Sequence, residues 1–341
     1  MALSLQQRVK AIFARPKRHT LKNAPTSPAA STSASPPPPT LVPMVQLGIC
    51  LPVPAQARYL SFRLRVNADA KPCIVALCET VTSPEAVIGF GPALISALGK
   101  QVLGLREFPA LQGKHGVFAP STPSALWVWL RGDDRGRLVL LSQQVITAVA
   151  DAFELEAVVD GFKHGSGRDL TGFEDGTANP ANENGERALD EACFVREGEL
   201  RGSSFVAVQK WVHDFKAFGA MSEHAQSHVI GRDKRTNDEL EDAPASAHVK
   251  RTDQEAFSPQ AFVLRRSMPW ADGSQAGLMF VAFGKSFDAY EAQLRKMLGL
   301  EDDGVVDALF GFTRPVTGSF YWCPPVVEGG RLDLSRMDMY W

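Results

Sequence analysis

The chain has 341 residues, of which 45% are apolar and 22% are charged, and its formal net charge is −2 at pH 7. This length allows two domains with separate hydrophobic cores. The almost neutral charge argues against nucleic acid and an anionic membrane surface as main partners. No apolar run reaches the roughly 18 residues of a membrane-spanning helix, so a membrane partner is not expected either.

Cysteine usage points to a reducing compartment. The chain contains Cys50, Cys73, Cys78, Cys193 and Cys323. Their number is odd and no two of them form a CxxC pair, which argues against a zinc site, a disulfide framework and a haem attached through CxxCH. Reduced thiols in the cytoplasm are the simplest explanation.

The first 43 residues differ from the rest of the chain. No acidic residue precedes Asp69, whereas six basic residues lie between Arg8 and Lys22. Residues 24–43 consist almost entirely of Pro, Ser, Thr and Ala, which predicts a disordered leader. Two interpretations stay open: a segment that directs the protein to an organelle or another compartment, or an extension without a function ahead of a folded chain that starts at Met44.

The first folded half, residues 44–185, has the pattern of a split βαβ unit. Apolar and polar residues alternate from Leu60 to Val66, which predicts a half-buried strand. The sequence Ser83-Pro84-Glu85 is typical of a helix start and predicts a helix through Leu98. The remaining predicted elements are strands at 102–108 and 125–130, a helix at 138–153 and a strand at 157–159.

The second half, residues 186–341, repeats this order. The predicted elements are a strand at 204–212, a short helix near 215–224, strands at 261–265 and 278–283, a helix capped by Ser286, and a strand at 319–322. The expected fold is therefore α+β, with two tandem ferredoxin-like halves that form a sandwich or barrel. A pocket is expected between the sheet and the loops.

The loop at residues 172–180 is the most distinctive segment. It reads Gly172-Phe173-Glu174-Asp175-Gly176-Thr177-Ala178-Asn179-Pro180, in which turn-forming residues surround an acid. An Asp-Gly pair by itself is typical of a surface turn. A rigid loop can also hold the carboxylate of Asp175 at a fixed position, which makes Asp175 a candidate functional acid.

Among the histidines, three stand out. His224 and His228 are four residues apart and could share a helical face as metal ligands, although their polar surroundings favour a solvated face. His248 lies in Ala245-Ser246-Ala247-His248-Val249, where small neighbours would let a flat cofactor approach, and neutral imidazole is a common ligand of haem iron. A histidine satisfied in the core or at the surface is the simpler alternative for His248.

Arg265 and Arg266 end an apolar segment. Strand alternation sends their side chains to opposite faces, so one guanidinium can enter a pocket while the other stays outside. A buried guanidinium requires an anionic partner, such as Asp175 or a cofactor carboxylate. Two edge-strand arginines that discourage aggregation would give the same pattern.

Taken together, these segments resemble the dye-decolourising peroxidase family in its compact intracellular bacterial form. The resemblance covers residues 47–325, and its most specific part is Gly172-Phe173-Glu174-Asp175-Gly176, which is similar to the GxxDG signature of the family. His248 matches the proximal haem ligand and Arg265 the distal arginine. Further similarity lies at residues 208–214, at Ile230-Gly231-Arg232, and at 313–324.

The resemblance implies a peroxidase with one non-covalent haem b per chain, which reduces hydrogen peroxide through a ferryl intermediate. His248 would ligate the iron, Arg232 and Arg265 would contact the cofactor, and Asp175 with Arg265 would act on peroxide. Ser267 stands where some relatives have a third distal polar group, an asparagine, and is the remaining candidate catalytic residue. The family also implies a homo-oligomer.

Other implications of the resemblance concern the substrates and the proximal side. Reducing substrates would be bulky aromatics such as dyes and phenols, with Trp270, Tyr290, Tyr321 and Trp322 as candidate electron relays or as plain core residues. Asp288 is the candidate acid behind the proximal histidine, because Gly311 falls where some relatives place a carboxylate. The alternative functions are a haem-binding or haem-iron-handling protein without turnover, and an interaction module without a cofactor.

Overall fold

The computed structural model describes residues 45–180, 191–337 and 339. These residues fall within one compact unit that spans Leu41–Trp341. The leader predicted at residues 1–43 lies outside the described residues. All five cysteines are described and none of them is in a disulfide. No helix in the described ranges combines the length and hydropathy that a bilayer span requires.

The first half contains four helices and six strands among its described residues. In chain order they are α1 (Leu47–Cys50), β1 (Gln56–Leu64), α2 (Lys71–Thr80), β2 (Ala86–Phe90), α3 (Pro92–Ala97), β3 (Leu111–Gln112), β4 (Phe118–Ala119), β5 (Leu126–Gly132), α4 (Arg135–Val149) and β6 (Phe153–Phe162). The side chain of Asp134 accepts a hydrogen bond from the backbone N–H of Arg137 and so caps α4.

The second half has helices α5 (Phe215–Gly219), α6 (Glu223–Ile230), α7 (His248–Arg251) and α8 (Asp288–Met297). Its strands are β7 (Ser204–His213), β8 (Leu264–Arg265), β9 (Met268–Asp272), β10 (Gln275–Gly284), β11 (Thr313–Pro315) and β12 (Ser319–Cys323). Short 3₁₀ turns lie at Gln254–Ala256 and at Ala308–Gly311.

The strands form a closed antiparallel barrel. The sheet order is β11-β7-β12-β2-β5-β1-β6-β9-β10-β8, and β7 also pairs with β10, which joins the two ends. Each half contributes four neighbouring strands in ferredoxin-like order, β2-β5-β1-β6 and β12-β7-β10-β9. The halves meet through single residue pairs, Phe90 with Trp322 and Gly161 with Trp270. The expected α+β fold of two tandem ferredoxin-like halves is confirmed.

Two cores lie on the two faces of the barrel wall, because side chains alternate along each strand. Rings of Tyr59, Trp127, Trp129, Tyr321 and Phe283 stack inside the barrel at centroid distances of 5.8–6.4 Å. Outward-facing residues of the same strands pack under helices α2, α4 and α8. Aromatic side chains occupy the barrel interior, and a separate cavity lies at the loops of the second half.

Of the helix predicted from Ser83 to Leu98, the structure has only Pro92–Ala97, which is α3. Residues 86–90 are strand β2, all five of which are buried because β2 lies between β5 and β12 and is covered on both faces. A strand buried on both faces has no polar alternation, so its sequence is easily mistaken for part of a helix. The helix of this βαβ unit is α2, which lies before the strand and has Pro72 in its first turn.

Three other predicted elements differ from the structure in smaller ways. Residues 102–108 form no strand, and Val66 lies beyond β1 and is 91% exposed. The helix predicted near 215–224 is divided into α5 and α6, because Ser222 caps a new helix by accepting a hydrogen bond from the N–H of Ala225. The predicted strands at 204–212, 278–283 and 319–322 correspond to β7, β10 and β12.

Candidate active site

A cavity of about 980 Å³ opens among the loops, helices and strands of the second half and receives the loop at residues 172–180 from the first. This volume lies at the upper end of the range of cofactor and small-molecule pockets. Asp175, Arg265, Arg232 and His248 all line it. Four of the five predicted site residues are therefore brought to one cavity from positions up to 90 residues apart.

The loop that carries Asp175 is shaped by two glycines with positive φ. Gly172 has φ 91° and Gly176 has φ 80°, which L-residues adopt only with strain. A Cβ on Gly176 would come within 2.8 Å of the Asn179 side chain. Arg168 donates to the carbonyl oxygens of Gly172 and Lys234 at 2.7 and 2.9 Å and anchors the start of the loop.

Asp175 and Arg265 form an ion pair in the cavity wall. Their Oδ1 and Nη1 atoms are 3.6 Å apart, and their side chains are 19% and 13% exposed. The buried Nε of Arg265 has no hydrogen-bond partner in the described part of the chain. The guanidinium thus faces an anion at one end and keeps an unpaired donor, which is an arrangement suited to a polar ligand.

Two amide side chains fasten the loop to the strand of Arg265. Asn179 accepts a hydrogen bond from the backbone N–H of Arg265 at 2.7 Å and donates to its carbonyl oxygen at 3.0 Å. Gln254 donates to the carbonyl of Ala178 at 2.6 Å and accepts from the N–H of Val263 at 2.8 Å. Sequence reasoning missed both, because the Asn179-Pro180 pair signals only a turn and Gln254 carries no local signal.

His248 begins helix α7 and has one nitrogen committed to a buried acid. Its Nδ1 lies 2.7 Å from Oδ2 of Asp307, whose side chain is fully buried. Oδ1 of Asp307 accepts a hydrogen bond from the N–H of Leu309 at 2.9 Å. Since the carboxylate accepts the proton on Nδ1, Nε2 is left with its lone pair for a ligand in the cavity.

Asp307 replaces the acid suggested from sequence. Asp288 is 77% exposed and pairs with Arg106 at 3.0 Å, so it is not the partner of His248. Gly311 lies four residues beyond Asp307, in the 3₁₀ turn that Asp307 caps. The sequence signal for Asp307 is an ordinary helix cap, and only the tertiary fold brings it to a histidine 59 residues away.

The other predicted site residues are placed less directly. Arg232 donates to the carbonyl of Asn237 at 2.9 Å and pairs with Glu239 at 3.5 Å, at the edge of the cavity. Ser267 is buried and accepts a weak hydrogen bond from the N–H of Val281 at 3.4 Å, but it is not one of the residues that line the cavity.

Arg266 follows the alternation expected for a strand. Its side chain points away from the cavity and donates to the carbonyls of Ile49 and Cys50 at 3.0 and 2.8 Å. Arg265 is consequently the arginine of the pair that reaches the cavity, where it meets Asp175.

A second histidine–aspartate pair lines the cavity. His213 Nε2 lies 3.1 Å from Oδ1 of Asp169, and its Nδ1 lies 2.7 Å from the hydroxyl of Thr313. Burial alone would raise the pKa of Asp169, but the hydrogen bonds from His213 and Thr171 outweigh it and lower the pKa below its ordinary value. Asp169 is therefore a carboxylate, and its negative charge is a fixed part of the wall.

The remaining polar lining comes from β7 and α8. Gln209 is almost fully buried, and its side-chain oxygen accepts from Tyr290 Oη at 2.6 Å and from Trp211 Nε1 at 3.2 Å. Its amide nitrogen has no partner among the described residues.

The four aromatic residues named as candidate electron relays are buried. Trp270, Tyr321 and Trp322 are 0–1% exposed and Tyr290 is 6% exposed, so within a single chain all four belong to the hydrophobic core.

Comparisons with known proteins place the chain in a family. The family model for the C-terminal part of Dyp-type peroxidases matches residues 166–328. A dye-decolorizing peroxidase of Rhodococcus erythropolis is 32% identical over 70% of this chain and 71% of its own length. The chain is 31% identical to that of Mycolicibacterium paratuberculosis over 67% of its own residues and spans 65% of the length of that relative.

Solved structures agree with this assignment. A Dyp-type peroxidase protein of Shewanella oneidensis has a TM-score of 0.77 and 28% identity, over 88% of this chain and 99% of that one. A DypB variant of Rhodococcus jostii in complex with haem has a TM-score of 0.71 and 25% identity, over 80% and 94% of the two chains. The sequence identity to these relatives agrees with the fold and the cavity, and the chain belongs to the family of Dyp-type, dye-decolorizing peroxidases.

Proposed function

We propose that the chain is a haem-dependent peroxidase that reduces hydrogen peroxide and oxidises bulky aromatic compounds. The observation that carries the proposal is the joint presence, in one cavity, of a histidine held by a buried acid and an ion pair of Asp175 with Arg265. The first arrangement is typical of a metal ligand, and the second of a group that moves protons.

The residues of the cavity fit a haem. Its volume of about 980 Å³ is large enough for a cofactor of this size class. His248 offers one imidazole nitrogen, and the buried donors Arg265 Nε and Gln209 Nε2 require polar partners that the described residues do not supply. Because no CxxCH pair is present, the proposed cofactor is non-covalent haem b, one per chain.

When bound, haem supplies an iron centre that peroxide oxidises by two electrons and that substrates reduce one electron at a time. Asp307 keeps the proton of His248 on Nδ1, which orients Nε2 and increases its basicity. The carboxylate of Asp175 accepts a proton from peroxide and returns it to the oxygen that leaves as water. The guanidinium of Arg265 donates hydrogen bonds to the negative charge that develops on that oxygen.

The alternative is a haem-binding or haem-iron-handling protein without sustained turnover. The ion pair near the surface of the cavity favours the peroxidase, since storage of haem needs no acid paired with a guanidinium. The haem-loaded protein would separate the two: a peroxidase consumes many equivalents of peroxide with an anthraquinone dye as reductant, whereas a carrier stays ferric or bleaches. Absence of a Soret band after haem addition would contradict both.

The proposed roles of Asp175 and Arg265 toward peroxide are tested with Asp175→Asn and Arg265→Leu. The control is Asp288→Asn, which changes an exposed aspartate. Loss of a general acid–base group typically costs about 10²- to 10⁴-fold in rate. We expect Asp175→Asn to keep its Soret band and to react with peroxide more slowly by that factor in stopped-flow absorbance, while Asp288→Asn reacts as wild type. An unchanged rate in Asp175→Asn would assign proton transfer to another group.

Location and assembly are further proposals. We propose a cytoplasmic homo-oligomer, on the grounds of the reduced cysteines and of the family. Light scattering on the purified protein measures the oligomer, and a monomer would contradict it. Fractionation of cells that express the chain with and without residues 1–43 tests the leader. If the segment does not direct the protein to a compartment, its removal should leave the distribution of the protein among the cell fractions unchanged.

A further inference from the structure

Three potential metal ligands meet outside the cavity. His224 and His228 on α6 and Asp242 in the following segment each place one ligand atom within 4.8 Å of the others. None of the three lines the cavity of the candidate active site. From sequence, the two histidines favour a solvated helix face, but the structure adds a carboxylate to them from a different part of the chain.

The histidine pair is held in place by its helix. The hydroxyl of Ser222 caps the N-terminus of α6 at 3.2 Å, and Gly231, with φ 93°, ends the helix in the left-handed conformation. Residues four apart lie on the same face, and the two imidazole rings stack with centroids 4.0 Å apart. This spacing presents two nitrogen ligands side by side without a change of backbone.

The hydrogen bonds of His228 define which nitrogen is available. Its Nδ1 lies 3.0 Å from the carbonyl oxygen of His224 and must donate to it, because a carbonyl only accepts. In the neutral ring, Nε2 is then a lone pair, and it faces Oδ2 of Asp242 at 3.3 Å. A metal ion placed beside these two atoms would be attracted by both, so their geometry suits a shared cation.

We propose that His224, His228 and Asp242 bind a divalent transition-metal ion of the borderline class, such as Zn²⁺, Ni²⁺ or Cu²⁺. Imidazole nitrogens suit these ions, whereas Mg²⁺ and Ca²⁺ prefer oxygen ligands alone. The carbonyl of His224 holds the tautomer of His228, as an outer hydrogen-bond partner does in metal sites. Three protein ligands leave a fourth position for water.

The metal would connect two parts of the chain. Asp242 is exposed and lies in the segment between α6 and α7, which leads after six residues to His248. This segment is attached near Gly231 by a backbone hydrogen bond from Leu240 at 3.0 Å. Glu239 in the same segment also pairs with Arg232 and Lys250. A bound ion would add a further attachment at Asp242 and so restrain the segment that leads to α7.

The direct test is a titration of Zn²⁺ into the haem-loaded, chelator-treated protein by calorimetry. The variants are His224→Gln, His228→Gln and Asp242→Asn, and the matched control is His164→Gln, which changes an exposed histidine elsewhere. We expect one saturable site per chain, unchanged in the control and weakened by about tenfold or more in each variant, since loss of a mere outer partner already costs about 10–100-fold. The Soret band should not change on addition of Zn²⁺.

A second readout tests the geometry. Co²⁺ in place of Zn²⁺ should give visible d–d absorption of a four-coordinate site, and the metal should slow amide hydrogen exchange in residues 240–247. No saturable binding in wild type, or binding that survives in all three variants, would overturn the proposal. Neither result would affect the proposed peroxidase activity, whose assay does not include added metal.

Discussion

The side chain of Asn179 fastens the loop of Asp175 to the strand of Arg265, and its removal should separate stability from catalysis. Asn179→Ala deletes one hydrogen bond to the backbone N–H and one to the carbonyl of Arg265, at 2.7 and 3.0 Å. We expect the spacing between Asp175 and Arg265, 3.6 Å between the nearest charged atoms, to depend on this attachment. We expect the loop to stay folded but to hold its acid less accurately.

The two effects have different magnitudes. Each neutral hydrogen bond contributes about 0.5–1.5 kcal/mol net, so the free energy of unfolding should fall by about 1–3 kcal/mol. A displacement of about 1 Å at a catalytic group can cost about 100-fold in rate. We therefore expect the bimolecular rate with peroxide to fall by about 10- to 100-fold while the Soret band is retained. Stopped-flow absorbance and urea denaturation measure the two quantities.

Gln46→Ala is the matched control, because the amide of Gln46 makes the same pattern with Ile88 and Gln46 is not one of the residues that line the cavity. It accepts from the N–H of Ile88 at 2.8 Å and donates to its carbonyl and to that of Pro324 at 2.9 Å. We expect this variant to lose at least as much stability as Asn179→Ala but to react with peroxide as wild type. Gln254→Ala should behave like Asn179→Ala.

Equal loss of rate in Gln46→Ala and Asn179→Ala would refute the reasoning, because general destabilisation would then explain both. A wild-type rate in Asn179→Ala would show that the distance between Asp175 and Arg265 is held by other contacts. Circular dichroism at working temperature verifies that each variant is folded before its rate is compared.

Three further predictions concern buried polar groups. Asp307→Asn should weaken haem binding by about 10–100-fold and raise the iron reduction potential, measured by haem transfer and spectroelectrochemistry; unchanged values would contradict its role behind the imidazole. Burial would raise the pKa of Asp169, but the hydrogen bonds that its carboxylate accepts lower the pKa below its ordinary value. The carboxylate therefore contributes to the free energy of unfolding above about pH 3.9, and this contribution is lost as the pH falls through the lower pKa of the folded state. Asp169→Asn should unfold at lower urea than wild type at pH 7, and the difference should narrow below about pH 4; a constant difference would speak against it. Tyr59→Phe removes a buried hydroxyl without a partner in the described residues and should be neutral or stabilising, whereas Tyr321→Phe loses the hydrogen bond with Ser124 and should cost about 1 kcal/mol in thermal or urea unfolding. The opposite order would contradict the assignment of these hydroxyls.

Much of the fold follows from local patterns. Strands β7, β10 and β12 are short apolar runs that a window of a few residues shows, and their predicted positions agree with the structure, whereas the alternation from Leu60 to Val66 locates β1 but places it about two to four residues too late. The loop around Asp175 is equally local, since Gly172 and Gly176 supply its positive φ angles. Strand β2 was missed although β12 is equally buried, because Ser83-Pro84-Glu85 ahead of β2 imitates a helix start, and the pairing with β5 and β12 that makes residues 86–90 a strand is not visible in their own sequence.

The sequence by itself determined which residue types were available: an acid in a rigid loop, an imidazole among small residues and one inward arginine of a pair. The tertiary structure decided their partners, because Asp307 lies 59 residues from His248 and Asn179 lies 86 residues from Arg265. The same holds for Asp242, which adds a third ligand atom to the pair of His224 and His228. Turn and helix signals arise from contacts within a few residues, whereas these partnerships depend on how the barrel closes and which loops it brings together.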